Sequence, residues 1–169
     1  GFDAVDVDLE AGTATGLYNG LAFFDMLSNI EWVRGSRDGG DSIAGSGANE
    51  LIEGRGGDDT LNGSSGDDTL DGGTGSDLLI GGQGSDVIIV DDVGDRVAES
   101  RKWAGHDTVV SSVDFRMGRK HIEDLELTGD ARIGAGNGLQ NRITGNDSDN
   151  VLDGGKNVDT LVGGDGNDR

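Results

Sequence analysis

Asp59, Asp68, Asp77 and Asp86 recur every nine residues, each two residues after a glycine (Gly57, Gly66, Gly75, Gly84) and two before a leucine or isoleucine (Leu61, Leu70, Leu79, Ile88). Four nonapeptides, beginning at Gly54, Gly63, Gly72 and Gly81, follow one another without a gap; glycine stands at position 4, aspartate at position 6 and Leu or Ile at position 8. The chemistry such a set can do is cation binding through oxygen. Carboxylates supply charge, glycine-rich turns bring backbone carbonyls together, and no His or Cys takes part. That donor set favours Ca²⁺ over Mg²⁺, which keeps its waters and demands stricter geometry.

The elements that must position these groups follow from the same spacing. A helix is excluded, because glycine at positions 1 and 4 costs about 1 kcal/mol each in a helix interior and a nine-residue period keeps no single helical face. A strand-turn unit fits: positions 1 to 6 suit turns, and positions 7 to 9 make one short strand whose middle residue points inward. Each nonapeptide is then half a coil of a flattened right-handed roll. Unit n stacks on unit n+2 at the usual strand spacing of about 4.8 Å. Asp59 comes to lie over Asp77 and Asp68 over Asp86. Two carboxylates about 5 Å apart repel by roughly 3 kcal/mol at an effective dielectric of about 20, so a bare ladder of them opposes folding.

These units resemble the Gly-Gly-x-Gly-x-Asp-x-apolar-x nonapeptides of the RTX proteins, and the resemblance implies an all-β fold, a parallel β-roll that binds several Ca²⁺ ions between successive turns. Carried over to this chain, it implies metal ligands at the side chains of Asp59, Asp68, Asp77 and Asp86. It adds the carbonyls of the early turn residues Gly54, Gly56, Gly63, Ser65, Gly72, Thr74, Gly81 and Gln83. Arg55 and Ser64 depart from glycine at position 2; because a backbone carbonyl would coordinate there, the departure is expected to cost little.

The register extends in weaker form on both sides. Asp41 and Ile43, then Glu50 and Ile52, fall at positions 6 and 8 of two earlier units, so Asp41 should stack with Asp59 and Glu50 with Asp68. Asp41 is a candidate ligand, Glu50 is longer than the motif wants, and a metal-free capping coil is the competing reading. A second block, from 136 to the end of the sequence, places Asn141, Asn150, Asp159 and Asp168 at position 6. An amide oxygen brings no charge, so the Asn141 and Asn150 sites should bind more weakly. Gly105-His106-Asp107-Thr108-Val109 repeats positions 4 to 8, which makes Asp107 either a further ligand or an exposed turn residue.

Four segments are therefore expected: an N-terminal β cap over 1–35, a first repeat block over 36–90, a bridging β segment over 91–135, and a second block over 136–169 that breaks off within a repeat. In the cap, Ala4–Leu9 alternates as a half-buried strand should, and Thr13–Gly16 pairs back as a hairpin. Phe2, Tyr18, Phe23, Phe24 and Trp32 concentrate there, as an end cap for the solenoid or a glycan-stacking platform. Leu78, Ile80, Val87 and Ile89 make both strand faces apolar late in the first block. Cover is expected from 91–130, with Trp103 and Val109 as candidates. Residues 108–133 read as longer strands of a metal-poor bridge.

The chain has 169 residues, 33 Gly, no Pro, no Cys and a net charge of −20. Such a composition argues for disorder, which the repeat makes conditional: disorder without Ca²⁺ and order with it. Nucleic-acid binding is disfavoured by charge. There is no apolar run of membrane-span length and no N-terminal signal peptide. The first residue is not Met and the end falls inside a repeat, so the sequence reads as a fragment. Motifs for a serine nucleophile, a zinc protease, a P-loop or a dinucleotide are lacking, and the expectation is no enzyme activity. His106 and His121 are expected at the surface.

By resemblance, the chain is a Ca²⁺-binding module of a protein passed through type I secretion machinery of a Gram-negative bacterium and folding outside the cell. The alternative is an accessory polysaccharide-binding or adhesin module on a secreted enzyme. It rests on Arg96, Arg101, Lys102, Arg116, Arg119, Lys120 and Arg132, seven of the 13 Lys and Arg, crowded into one stretch.

Overall fold

The structure is a computed structural model describing residues 2–99, 105–118 and 120–169. Trp103, Arg101, Lys102 and Arg119 lie outside the described residues. Among those described there is no helix, and none long and apolar enough to cross a membrane. The strands in chain order are β1 (Phe2–Asp8), β2 (Thr13–Tyr18), β3 (Leu21–Met26), β4 (Trp32–Arg34), β5 (Ser42–Ala44), β6 (Leu51–Gly56), β7 (Thr60–Ser65), β8 (Thr69–Thr74) and β9 (Leu78–Gln83). They continue with β10 (Val87–Val90), β11 (Arg96–Ala98), β12 (Thr108–Ser111), β13 (Phe115–Arg116), β14 (Asp124–Leu127), β15 (Ile133–Ala135), β16 (Arg142–Thr144), β17 (Val151–Asp153) and β18 (Thr160–Val162).

Alternate strands fall on opposite faces of a parallel β-solenoid. One face is a single eight-stranded sheet in the order β18-β16-β14-β12-β10-β8-β6-β4. The other carries β5, β7, β9 and β11, then a three-stranded sheet of β13, β15 and β17. Unit n pairs with unit n+2 as the spacing requires: Leu61 with Leu79, and Leu70 with Ile88. Position 8 supplies the core. Ile43, Leu61 and Leu79 line one wall, and Ile52, Leu70, Ile88, Val109, Leu125 and Ile143 the other, each 1% exposed or less. Through β5 to β9 one residue per half coil points inward, so the core there is narrow; from β10 on it widens, with Val90, Phe115, Met117, Ile122 and Leu127 buried beside the position-8 residues.

The strands of the first block run longer than positions 7 to 9. They continue through positions 1 to 3, because those residues also pair in register, Arg55 with Gly73 and Gly56 with Thr74. Residues 108–133, in contrast, form short strands of two to four residues that act as further rungs of the solenoid. Val109 pairs with Ile88 and is wholly buried, so it belongs to the core and does not cover an outer face. Leu78, Ile80, Val87 and Ile89 remain half-exposed.

At the N-terminal end, β1, β2 and β3 form an antiparallel sheet that joins the roll through the parallel pair β1 and β5. The hairpin of β1 and β2 matches the alternation in the sequence; β3 is an additional strand. Val7 and Ala14 are buried and Phe23 packs against the core, whereas Phe24 and Trp32 are exposed, with Arg34 over the Trp32 ring at 5.3 Å. Trp32 opens β4, which already pairs with β6 in the eight-stranded sheet.

Candidate metal centre

The position-6 side chains form one ladder along the turns. Oδ1 of each aspartate accepts the backbone N–H of the residue 18 positions earlier: Asp41 N–H to Asp59 at 2.7 Å, Asp59 to Asp77 at 2.8 Å, and Asp68 to Asp86 at 2.9 Å. Glu50 N–H reaches Asp68 at 2.8 Å, and in the second block Asn141 reaches Asp159 and Asn150 reaches Asp168, both at 2.9 Å. Every stacking pair expected from the register is present.

The ladder continues past the point where the motif fades. Asp77 N–H donates to Asp95 and Asp86 N–H to Asp107, both at 3.0 Å, and Asp107 N–H to Glu123 at 3.0 Å. Asp95 and Glu123 were not legible as members. Asp95 had a signal: it stands 18 residues after Asp77, and Val97 after it fills position 8, buried and paired with Leu79. Glu123 had none, since the interval to it is 16 residues.

The second carboxylate oxygen separates the turns into two classes. Asp59, Asp68, Asp77, Asp86 and Asp107 are 2%, 1%, 1%, 1% and 0% exposed, and the buried Oδ2 of each has no hydrogen-bond partner. A buried carboxylate oxygen left without a donor is costly, which is the mark of a missing positive group. Asp107 is thus an enclosed member of the ladder, not an exposed turn residue. A Cβ on Gly54 would strike Asp59 Oδ2 and the Gly72 carbonyl, and one on Gly63 would strike Asp68 Oδ2 and the Gly81 carbonyl. Orphaned carboxylate oxygens and position-1 carbonyls of the next coil therefore border the same small spaces. The position-3 carbonyls of Thr74 and Gln83 accept N–H groups from Gly57 and Gly66 at 3.0 and 2.8 Å, each keeping a second lone pair.

Other turns satisfy themselves. Ser36 N–H donates to Asp41 Oδ2 at 2.6 Å and Ser46 N–H to Glu50 Oε2 at 3.2 Å. Asn137 and Asn146 N–H donate to Asn141 and Asn150 Oδ1, both at 2.9 Å. The Asn141 amide donates to the Ile122 and Glu123 carbonyls and the Asn150 amide to Ala131, so carbonyls that face the turn already have a donor. The amides of Asn137 and Asn146 fill the rest of the gap, reaching Ile122 O and Ala131 O at 2.8 Å.

The backbone at position 2 decides between the classes. Arg55, Ser64, Gly73 and Gly82 have φ of 86°, 75°, 78° and 113°, and Gly155 and Gly164 of 91° and 96°. In that hand the N–H turns away from the aspartate, Ser64 to Asn62 Oδ1 and Gly73 to Asp71 Oδ1 at 3.1 Å, Gly155 to Asp153 Oδ1 at 3.0 Å. Ser46, Asn137 and Asn146 keep the ordinary hand, as does Ser36, which one extra residue sets five rather than four before Asp41, and their N–H groups reach position 6. Arg55 and Ser64 therefore carry a left-handed backbone at roughly 1–2 kcal/mol each, which a count of coordinating carbonyls misses.

Burial raises the acids of the open turns: Asp59 to about 6, helped by the charges of Asp41 and Asp77, and Asp68 to about 7, helped by Asp86 and Glu50. Asp77 and Asp107 rise to about 6, again chiefly by burial, and Asp86 rises for the same reason. Among the described residues no three His, Cys, Asp or Glu side chains converge as a chelating cluster, so a cation here would be held by carboxylates together with carbonyls. His106 is exposed, with Nε2 3.3 Å from Asp124 Oδ1.

A solenoid whose turns end in unpartnered oxygens is built as a cation-binding repeat protein. The RTX calcium-binding nonapeptide repeat matches in four copies, over residues 37–70, 53–88, 62–96 and 135–169, more than half of the chain. The chain belongs to that family, and its repeats bind several Ca²⁺ ions. No curated protein matches the chain.

Proposed function

We propose that this chain is a Ca²⁺-conditional folding module, disordered where Ca²⁺ is scarce and closed into a roll where it is abundant, supporting secretion and extracellular stability of the protein that carries it. The observation behind this reading is the row of buried, donorless Oδ2 atoms on Asp59, Asp68, Asp77 and Asp86. These aspartates, the Gly54, Gly63, Gly72 and Gly81 carbonyls and the position-3 carbonyls of Gly56, Ser65, Thr74 and Gln83 are the ligands of the first block; Asp159 and Asp168 serve in the second. Bound Ca²⁺ supplies the charge that offsets the ladder's repulsion. Asp41, Asn141 and Asn150 already receive an N–H on the oxygen that faces the turn, so they are the weaker of the candidate sites.

Export in the unfolded state through a type I channel, and the Gram-negative extracellular setting, fit a module whose ions are available only outside. Extracellular Ca²⁺ modules work at dissociation constants of about 10⁻⁴ to 10⁻³ M. The polysaccharide reading has less behind it: of its seven cations, the four in described residues sit on separate strands and connections, with Lys120 drawn over the Phe115 ring at 5.5 Å. Far-UV circular dichroism across a Ca²⁺ titration tests the proposal. A cooperative gain of β signal at millimolar Ca²⁺, and none with Mg²⁺, is expected. A spectrum indifferent to Ca²⁺ would end it.

A further inference from the structure

The first block ends where the interval changes: Asp86 is followed in the ladder by Asp107, 21 residues on instead of 18. In the regular coils the position-1 N–H meets a strand carbonyl, as Gly35 meets Glu53 O and Gly45 meets Asn62 O, both at 2.7 Å. At Gly81 a side chain stands there instead. Gly81 N–H donates to Glu99 Oε1 at 2.7 Å, and Gly82 N–H reaches Oε2 at 3.5 Å. A Cβ on Gly81 would strike both Asp86 Oδ2 and Glu99 Oε1, where at Gly54 it would strike Asp59 Oδ2 and a carbonyl. At the break a carboxylate therefore stands in for the carbonyl.

The Asp86 side chain is 1% exposed, and its Oδ2, which borders this space, has no partner. Asp107, beside it in the ladder, carries another orphaned Oδ2. Among the described residues no Lys or Arg forms an ion pair with any of the three acids. An oxygen of Glu99 that accepts one N–H keeps a lone pair for a cation. We infer that Glu99 is a Ca²⁺ ligand outside the nonapeptide pattern, sharing one ion with Asp86 at the end of the first block. This rests on the Ca²⁺-module reading. A site with two facing carboxylates carries more negative charge than its neighbours, so it holds its ion more tightly and fills first.

Glu99→Gln keeps the acceptor for Gly81 and removes the charge. In calorimetric Ca²⁺ titrations of the whole chain, the wild type should show one ion bound ahead of the rest, and Glu99→Gln should weaken that ion roughly tenfold while leaving the remaining ions in place. Glu126→Gln, on an exposed face of β14, should change nothing. An unaltered Glu99→Gln isotherm would overturn the inference, whereas a wild type that takes up no Ca²⁺ would overturn the module reading beneath it. Should Glu99→Gln fail to regain its far-UV signal at saturating Ca²⁺, Glu99→Asp, which keeps the charge but draws it back by one methylene, decides: a folded chain in which that first ion alone is weakened supports a ligand role, and a folded chain whose isotherm matches the wild type contradicts it.

Discussion

Asp77 and Asn141 occupy the same place in the repeat and solve the same problem in different ways. Asp77 gives Oδ1 to the coil below and leaves Oδ2 buried and unpartnered, while Asn141 turns its amide into the previous coil and needs no further partner. Asp77→Ala should therefore shift the Ca²⁺ midpoint of folding upward several-fold or abolish the response. Asn141→Ala should leave that midpoint near the wild-type value and lower stability by about 1–3 kcal/mol with or without Ca²⁺, through lost buried hydrogen bonds. Urea unfolding at fixed Ca²⁺ and in chelator separates the two effects. Equal shifts in midpoint would mean that the turns do not differ. The sequence showed which residues occupy position 6, because a strict nine-residue interval is visible without coordinates. It did not show which were self-satisfied, because that depends on the sign of φ at position 2. Ser46 and Ser64 are the same residue type at that position with opposite outcomes.

At the scale of the elements, the stacked aspartates set the response to pH. In the folded, ion-free chain Asp59, Asp68 and Asp77 are raised from 3.8 to about 6, 7 and 6, first by burial. Unfolded, the same groups titrate near about 3.9. The folded form thus holds its protons to higher pH, so this contribution to stability is complete below the unfolded value and is lost as pH rises through 6 to 7. In chelator, more β signal is expected at pH 5 than at pH 8, and the Ca²⁺ needed for half-folding should rise from pH 5 to pH 8, as protons neutralise the aspartates less and less. A Ca²⁺-free chain that gains β structure on going from pH 5 to pH 8 would reverse the sign and refute this account. The strands themselves were largely legible, since apolar position 8 recurs at Leu61, Leu70, Leu79 and Ile88. At β13 and β15 the strand character of 108–133 was legible, but not their place as rungs of the roll, because Phe115 and Ile133 lie outside any nonapeptide and are placed by pairing, with Gly134 and Val151.

For the whole molecule, a net charge of −20, and in β5 to β9 a core of one apolar side chain per half coil, leave little to hold the first block closed without cations. The stretch from β14 to β17 differs, because its turns are plugged by Asn137, Asn141, Asn146 and Asn150. Amide hydrogen exchange resolved along the chain, in Ca²⁺ and in chelator, measures this dependence directly, since protection reports local opening. Slow exchange over β6 to β10 is predicted only with Ca²⁺, with a smaller change over β14 to β17. Equal protection of β6 to β10 in chelator would contradict the claim that cations between the aspartate turns hold the roll together.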